Sequence, residues 1–410
     1  MDYIKIGSKQ HKRATSGILL GSTITFAIMY SPQPLISLYA KQYSISPDTA
    51  GLSISLTTIS LAVSLFFVSV FAGTFNRKKI MTWSLILTSC LTIASSFTHS
   101  FNAFLVLRFL EGISVAGFPS IAMAYQNEEF SPSDIGRVMG YYVSGTAIGG
   151  FTGRIIIGAL TDLTNWHTAF LIQGVLSLAG SLWFLAYLPE SKNFTRRKFS
   201  SEQWVSGIKS TLFNKRLFSI YVTGFLLMGA YITILDYIGY PLTKAPYNLS
   251  QTVFGFLFTV NLFGIWSSIF FGKLADKHSR RNILLLAVLI LAAGVLLTLA
   301  GNLYVKIAGV SLVALGFMAG HSVASGWAGF MASRDNKGQA SSFYLLFYYT
   351  GSSLLGWLGG IFLNYSGWKG LVFYVTVILA FAALVSFQPW KSTARERARL
   401  SSDSVRGRTV

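Results

Sequence analysis

Charge is scarce in this chain of 410 residues: Asp, Glu, Lys and Arg make up 11% of it, while 52% is hydrophobic. A typical soluble domain carries roughly 25% charged residues, so the composition places the chain in lipid. Acids are the scarcer sign, 14 against 33 Lys and Arg. Cysteine is almost missing, since Cys90 stands alone and excludes an internal disulfide. No Gly-x4-Gly-Lys-Ser/Thr occurs, so an ATP-driven pump has no phosphate cradle, and none of the five histidines begins His-Glu-x-x-His. Val323-Ala-Ser325-Gly326 near His321 comes close to an intramembrane serine-protease pattern. That serine and histidine stand four residues apart on one helix with no oxyanion element, so hydrolysis is rejected. Neither an enzyme nor a bound cofactor or metal is expected. Period-two alternation is also missing, which excludes a transmembrane barrel.

What is present is a series of apolar runs long enough to cross a hydrocarbon core. Twelve are read, at 17–39, 50–73, 79–97, 101–125, 136–160, 165–188, 217–240, 250–272, 282–300, 304–330, 340–363 and 368–388. The first follows Lys5, Lys9, Lys12 and Arg13, as a signal peptide would, but no small-residue cleavage site follows and eleven more runs do. It is read as an uncleaved helix. The net charge of +19 does not point to nucleic acid, because its placement encodes topology instead. With an inside N-terminus, 27 of the 33 basic residues fall in the tails and inside connections, and only Lys41, Lys244 and Lys369 on the opposite side. Arg108, Arg154 and Lys306 lie within runs. The bias puts both termini in the cytoplasm.

The runs repeat as two halves. Gly145-Thr-Ala-Ile-Gly149-Gly150-Phe-Thr-Gly153 matches Gly351-Ser-Ser-Leu-Leu355-Gly356-Trp-Leu-Gly359 at an offset of 206, with Gly360 following, and Asn165-Trp166 faces Gly367-Trp368 at 202. Gly272-Lys-Leu274-Ala275-Asp276 with Arg280-Arg281 has a damaged copy in Ser69-Val-Phe-Ala-Gly73 with Arg77, at 203. The fold class is therefore an all-α membrane protein of twelve helices in two pseudo-symmetric six-helix bundles, an architecture of transporters. The bundles are 1–188 and 217–390, the polar stretch 189–216 is a cytoplasmic linker, and 391–410 is a basic, disordered cytoplasmic tail. Around Trp204–Ile208 the linker has the period of a short surface helix.

An ionisable group inside a span is costly and marks a functional candidate. Glu111 follows Arg108 by three residues, so the two can pair, as a structural tie or as a tuned proton site. Asp236, toward the outer end of the seventh run, reads as an interfacial carboxylate in contact with water, or else as a second proton site. His321 is a third candidate, with a plain hydrogen-bonded histidine as its alternative. Arg154 can bind an anion, pair with Glu111 or Asp236, or snorkel. Pro32-Gln33-Pro34 breaks the first helix where freed backbone can line a cavity. Tyr141, Tyr142, Tyr344, Tyr348 and Tyr349 occupy corresponding places in the two halves, and some are expected on a central cavity. Glu128-Glu129 reads as a solvated or gate-region pair.

Taken in order, these fragments resemble the major facilitator superfamily over nearly all of 17–388. Gly272-x-Leu274-Ala275-Asp276 with Arg280 and Arg281 is similar to its loop motif, Arg108-Phe-Leu-Glu111-Gly112 to its fourth-helix motif, and Gly145-x3-Gly149-Gly150-x2-Gly153 to its antiporter motif. Ala116-Gly117-Phe-Pro119, Gly224-Phe-Leu-Leu-Met-Gly229 and His321-Ser-Val-Ala-Ser325 narrow the likeness to the YnfM-like bacterial exporters, of the arabinose-efflux or drug-resistance permease type. The chain departs from the pattern at Gly73, which replaces an acid, at Gly150, which replaces a proline, and at Arg154, a charge where helices pack closely. The resemblance implies alternating access in a monomer of the bacterial inner (plasma) membrane, with lipid, a small-molecule substrate and protons as partners. It implies efflux by proton antiport, with proton-coupled uptake of a sugar or organic acid, a lipid flippase or a transport-inactive sensor as alternatives. Glu111 is placed first as proton carrier, ahead of Asp236 and His321; Arg108, Arg154, Gln33, Tyr142 and Tyr348 are assigned to substrate or charge tuning. Asp276 with Gly272, Arg280, Arg281 and Arg77 is assigned to the gate.

Overall fold

The structure, a computed structural model, describes residues 3–71, 76–131, 134–194, 211–331 and 337–386. Among these residues there is no strand. The first half comprises α1 (Lys9–Tyr30), α2 (Ile36–Gln42), α3 (Pro47–Phe71), α4 (Arg77–Ser95), α5 (Phe101–Val115), α6 (Pro119–Glu129), α7 (Ile135–Leu163) and α8 (Trp166–Tyr187). The second comprises α9 (Lys215–Tyr237), α10 (Gly239–Leu242), α11 (Gln251–Leu257), α12 (Asn261–Lys277), α13 (Arg280–Leu297), α14 (Leu303–Met331) and α15 (Lys337–Ser386). Side chains punctuate the passes: Asn76, Asn165 and Asn214 accept backbone N–H groups at the starts of α4, α8 and α9. Pro119 opens α6, where its missing N–H costs nothing.

Ten helices among the described residues are long and apolar enough to cross a membrane. One is the 50-residue α15, which breaks at Gly367 with φ 62 and ψ −164, a conformation that only glycine holds without strain. The 19-residue α4 falls short of that apolarity because it opens on Arg77-Lys78-Lys79 and is rich in Ser and Thr, yet its hydroxyls point inward at Thr88, Ser89 and Thr92. Counting the two limbs of α15 separately and adding α4 fits twelve passes. Gly73, the 195–210 part of the linker with its Trp204–Ile208 stretch, and the 391–410 tail lie outside the described residues.

Each half contains a corresponding glycine seam. A Cβ on Gly149 would come within 2.8 Å of the Thr23 Cα, and one on Gly153 within 2.6 Å of the Ala27 Cα. Gly145 meets the Leu19 carbonyl in the same way, so α7 lies backbone to backbone on α1. In the second half a Cβ on Gly351 would lie 2.7 Å from the Phe225 Cα, Leu355 fills the space over Gly229, and Gly359 abuts Thr233. Every one of these positions is its first-half counterpart displaced by 206 residues. A hydroxyl bridges each seam, one turn out of that register: Thr23 donates to the Gly145 carbonyl at 3.3 Å and Thr233 to that of Leu355 at 3.1 Å, a displacement of 210. Close backbone approach of this kind is how helices associate where lipid supplies no hydrophobic drive. Gly150 and Gly356, also expected in the seams, lie off them: Gly150 faces Arg154 of its own helix, and Gly356 faces the Asp236 carboxylate.

Among the described residues the halves meet at the face opposite the termini and along α3 and α15. At that face the Thr243 hydroxyl reaches the Ser37 hydroxyl, and a Cβ on Gly360 would lie 2.5 Å from the Asp48 Cα. Asp162 accepts from the Gln251 and Thr252 N–H groups at 3.1 and 2.7 Å, so a carboxylate of one half caps the start of α11 in the other. Deeper in, α3 runs along α15, with the Ser353 hydroxyl donating to the Ser55 carbonyl at 2.7 Å and Phe66 against Phe343.

Candidate functional site

The break in the first helix builds the site. After Tyr30 the chain turns through Ser31 and Pro32 into a 3-10 turn, Gln33–Leu35, as the two prolines require. The carbonyls at the end of α1 thereby lose their usual partners four residues on, and that of Ile28 accepts instead from the Ser31 N–H at 3.3 Å and hydroxyl at 2.9 Å. Arg108 takes two of them, donating Nη2 to Met29 at 2.8 Å and Nη1 to Ile28 at 3.4 Å. Its Nε goes to the Ser53 carbonyl at 3.0 Å, and Nη1 also pairs with Glu111. The other oxygen of Glu111 accepts from the Thr92 hydroxyl at 2.5 Å. Both residues are 0% exposed, wholly within the first half. The pair expected at 108 and 111 is present, and it ties α1, α3, α4 and α5 together with both carboxylate oxygens occupied.

Gln33, held at the end of this frame, is fully buried and faces two ways. Its Oε1 accepts from Arg154 Nε at 2.6 Å, and its Nε2 donates to Asp236 Oδ1 at 2.5 Å. The chain Arg154–Gln33–Asp236 thus crosses from one half to the other. Asp236 is only 2% exposed, which corrects the expectation of an interfacial carboxylate in contact with water. Its burial comes from the turn of the other half lying across it. Among the described residues, Oδ2 of Asp236 is buried without a hydrogen-bond partner, and the nearby hydroxyls of Ser55, Tyr237 and Tyr240 are likewise unpaired. Gly356 leaves the space, since a Cβ there would sit 3.6 Å from Oδ2 and 3.9 Å from the Ser55 hydroxyl.

Arg154 does not snorkel. It is 4% exposed, with its guanidinium between the rings of Tyr30 and Phe258 at 4.5 and 4.6 Å. Nη1 turns back to the Gly150 carbonyl of the preceding turn. Nη2 has no hydrogen-bond partner among the described residues. Of its two expected partners, Arg154 reaches Asp236, through Gln33, while Glu111 is taken by Arg108.

An aromatic wall stands in the second half. Tyr231 stacks on Phe317 at 3.9 Å, His321 lies 4.7 Å from Tyr348, and Tyr348 meets Tyr349 edge-on at 5.0 Å. His321 is hydrogen-bonded to the Tyr344 hydroxyl at 3.0 Å. Tyr142, Tyr344 and Tyr349 are buried, whereas Tyr141 is exposed.

The gate motif is only partly visible. The Asp276 side chain lies outside the described residues, Gly272 sits under the Ser322 hydroxyl, and Arg280 stacks on Phe330 at 4.3 Å, with Arg281 next in α13. Arg77 of the damaged copy forms a two-point ion pair with Glu128 at 2.6 and 3.0 Å. Glu129, read with Glu128 as a solvated or gate-region charge, is not solvated: it is 1% exposed and accepts from the Asn193 N–H. Asp162, at the end of an apolar run, is not among the sequence candidates; only the opposite half gives it a task.

Helices in two related halves, closed on one face and joined by a buried polar chain, define a multi-pass secondary transporter. The family model described as Major Facilitator Superfamily matches residues 18–244 and 234–407, and the chain belongs to that superfamily. It is 41% identical to the MFS-type transporter YybF of Bacillus subtilis (strain 168) over 386 residues, 94% of this chain and 95% of that one. With the inner membrane transport protein YnfM of Escherichia coli (strain K12) it shares 37% over 383 residues, 93% and 92% of the two chains. Both support the YnfM-like branch. Among solved structures, a bacterial homologue of the human lysosomal transporter Spinster, inward-facing and occupied, superposes with a TM-score of 0.78 at 16% identity over 95% of this chain and 99% of that one. That likeness concerns the fold.

Proposed function

We propose that this protein is a proton-coupled transporter of a small organic molecule, working by alternating access, with Asp236 as the group that carries the proton. The observation that carries the reading is the Gln33–Asp236 hydrogen bond, which joins the halves through the carboxylate itself. Asp236 stands at a moving interface with one oxygen unsatisfied, whereas both oxygens of Glu111 are bound inside a single half. A proton taken up at Asp236 changes both the charge and the strength of the contact that holds one face shut. Glu111, first by sequence, therefore ranks second. The placement of 27 basic residues supports cytoplasmic termini in a bacterial inner membrane, which makes the closed face the outer one.

Export in exchange for protons and uptake together with them share this step. The sign of coupling follows from the cargo: a cation would compete with the proton for Asp236, and an anion would be loaded with it. The test uses purified protein in vesicles carrying a pH-sensitive dye, with an imposed proton gradient and a panel of organic acids, amines and sugars. The wild type should show compound-dependent proton flux, Asp236→Asn should not, and Glu111→Gln should retain it. Silence of the wild type across the panel would favour a sensor or a lipid flippase instead.

A further inference from the structure

We infer that Arg154 is the recognition group for the carboxylate of an organic anion, which makes the cargo a monocarboxylate with a flat apolar body. This deepens the reading of the same site and rests on it. A buried guanidinium is expensive unless its donors are paired. Here Nε is committed to Gln33 and Nη1 to the Gly150 carbonyl, while Nη2 is open among the described residues. The rings of Tyr30 and Phe258, 4.5 and 4.6 Å from its central carbon, hold the guanidinium in place, so that Nη2 is the donor left to a carboxylate oxygen in a charge-assisted hydrogen bond. Aromatic surface suited to a flat apolar body follows on the second half, from Tyr231 through Phe317 to Tyr348.

Charge balance gives the coupling. In the closed site one cation, Arg154, and one anion, Asp236, are linked by a neutral amide. The groups that face Asp236 are Tyr30 from α1, Arg154 from α7, Tyr231 and Tyr237 on its own helix, and the Ser55 hydroxyl from α3 across Gly356 of α15; Asp48 of α3 lies beyond Tyr237. No second cation is among them. Binding an organic anion to Arg154 while Asp236 is charged leaves one negative charge in excess in the bundle; binding it with a proton on Asp236 leaves none. Proton and anion therefore favour each other, and the two would cross together.

The experiment measures equilibrium binding of benzoate to the purified full-length protein by titration calorimetry, without any gradient, beside benzamide and benzylamine. Benzoate should bind and the neutral amide and the amine should not. Arg154→Gln should abolish benzoate binding and Arg154→Lys should weaken it. Asp236→Asn, which fixes the uncharged state, should tighten benzoate binding about tenfold, the size of an ordinary coupling between sites. A gain of that kind cannot come from misfolding. Benzylamine binding that is lost in Asp236→Asn, or benzoate binding unchanged in Arg154→Gln, would overturn the assignment. Failure of proton flux in vesicles with benzoate binding intact would count against the coupling reading alone.

Discussion

Gln33→Leu should loosen the closed face by a calculable amount. Leucine nearly preserves the volume but can neither donate nor accept, so both polar contacts of Gln33 vanish. They do not count equally. The bond to Arg154 lies within one half and is lost whichever face is open, so it cancels from the conformational equilibrium. Only the 2.5 Å bond to Asp236 spans the halves and differs between the states. A hydrogen bond to a charged group contributes about 1.5–3 kcal/mol, so the ratio of closed to open should fall by about 10- to 150-fold. In a Cys90→Ser background, spin labels at Gln42 and Asn248, exposed on the two halves at that face, would report it as a distance distribution by double electron–electron resonance. The long Thr243–Ser37 contact at 3.5 Å provides the control, and Thr243→Ala should leave the distribution nearly unchanged. An unaltered distribution in Gln33→Leu would mean that the polar chain does not hold the face shut.

Three further outcomes are expected. Glu111→Ala strands Arg108 inside the first half without its counter-charge, which should cost about 3–5 kcal/mol and show as a lower thermal midpoint; Glu111→Gln keeps an acceptor and should be milder, and loss of proton flux in it would restore Glu111 as the carrier. Gly149→Ala drives a methyl into the Thr23 backbone, for a loss of about 1–3 kcal/mol by the same assay, while Gly140→Ala, with nothing within 4 Å, should be neutral or gain up to about 1 kcal/mol. For topology, cysteines at Asn102 and Asn248 in the Cys90→Ser background should react with an impermeant thiol reagent on intact cells; one at Ser200 should not, and labelling there would invert the orientation.

The passes were legible because lipid forces long apolar runs, and the repeat was legible because close helix contact forces glycine at fixed spacing. Gln33 was found through the prolines beside it. The burial of Asp236 was not legible, since position near a span end resembles contact with water and the covering turn lies 203 residues away. The role of Arg108 was half legible: its spacing to Glu111 is local, but the carbonyls of Ile28 and Met29 become acceptors only because a different helix ends early. Side chains that act within one helix can be read from order along the chain. Those that act between halves depend on which surfaces the fold brings together.

The two glycine seams also bear on mechanics. Where backbones touch directly there are few side-chain rotamers to re-sort, so each half has little internal slack and tends to move as a stiff lever. Compliance then collects where the levers meet, in a thin zone with a handful of polar groups and the capped start of α11. Pivoting motion of this sort is governed less by the large apolar area than by a few contacts, each worth at most a few times thermal energy. Related chains could retain the same levers and acquire a different stroke by changing one or two residues at the fulcrum.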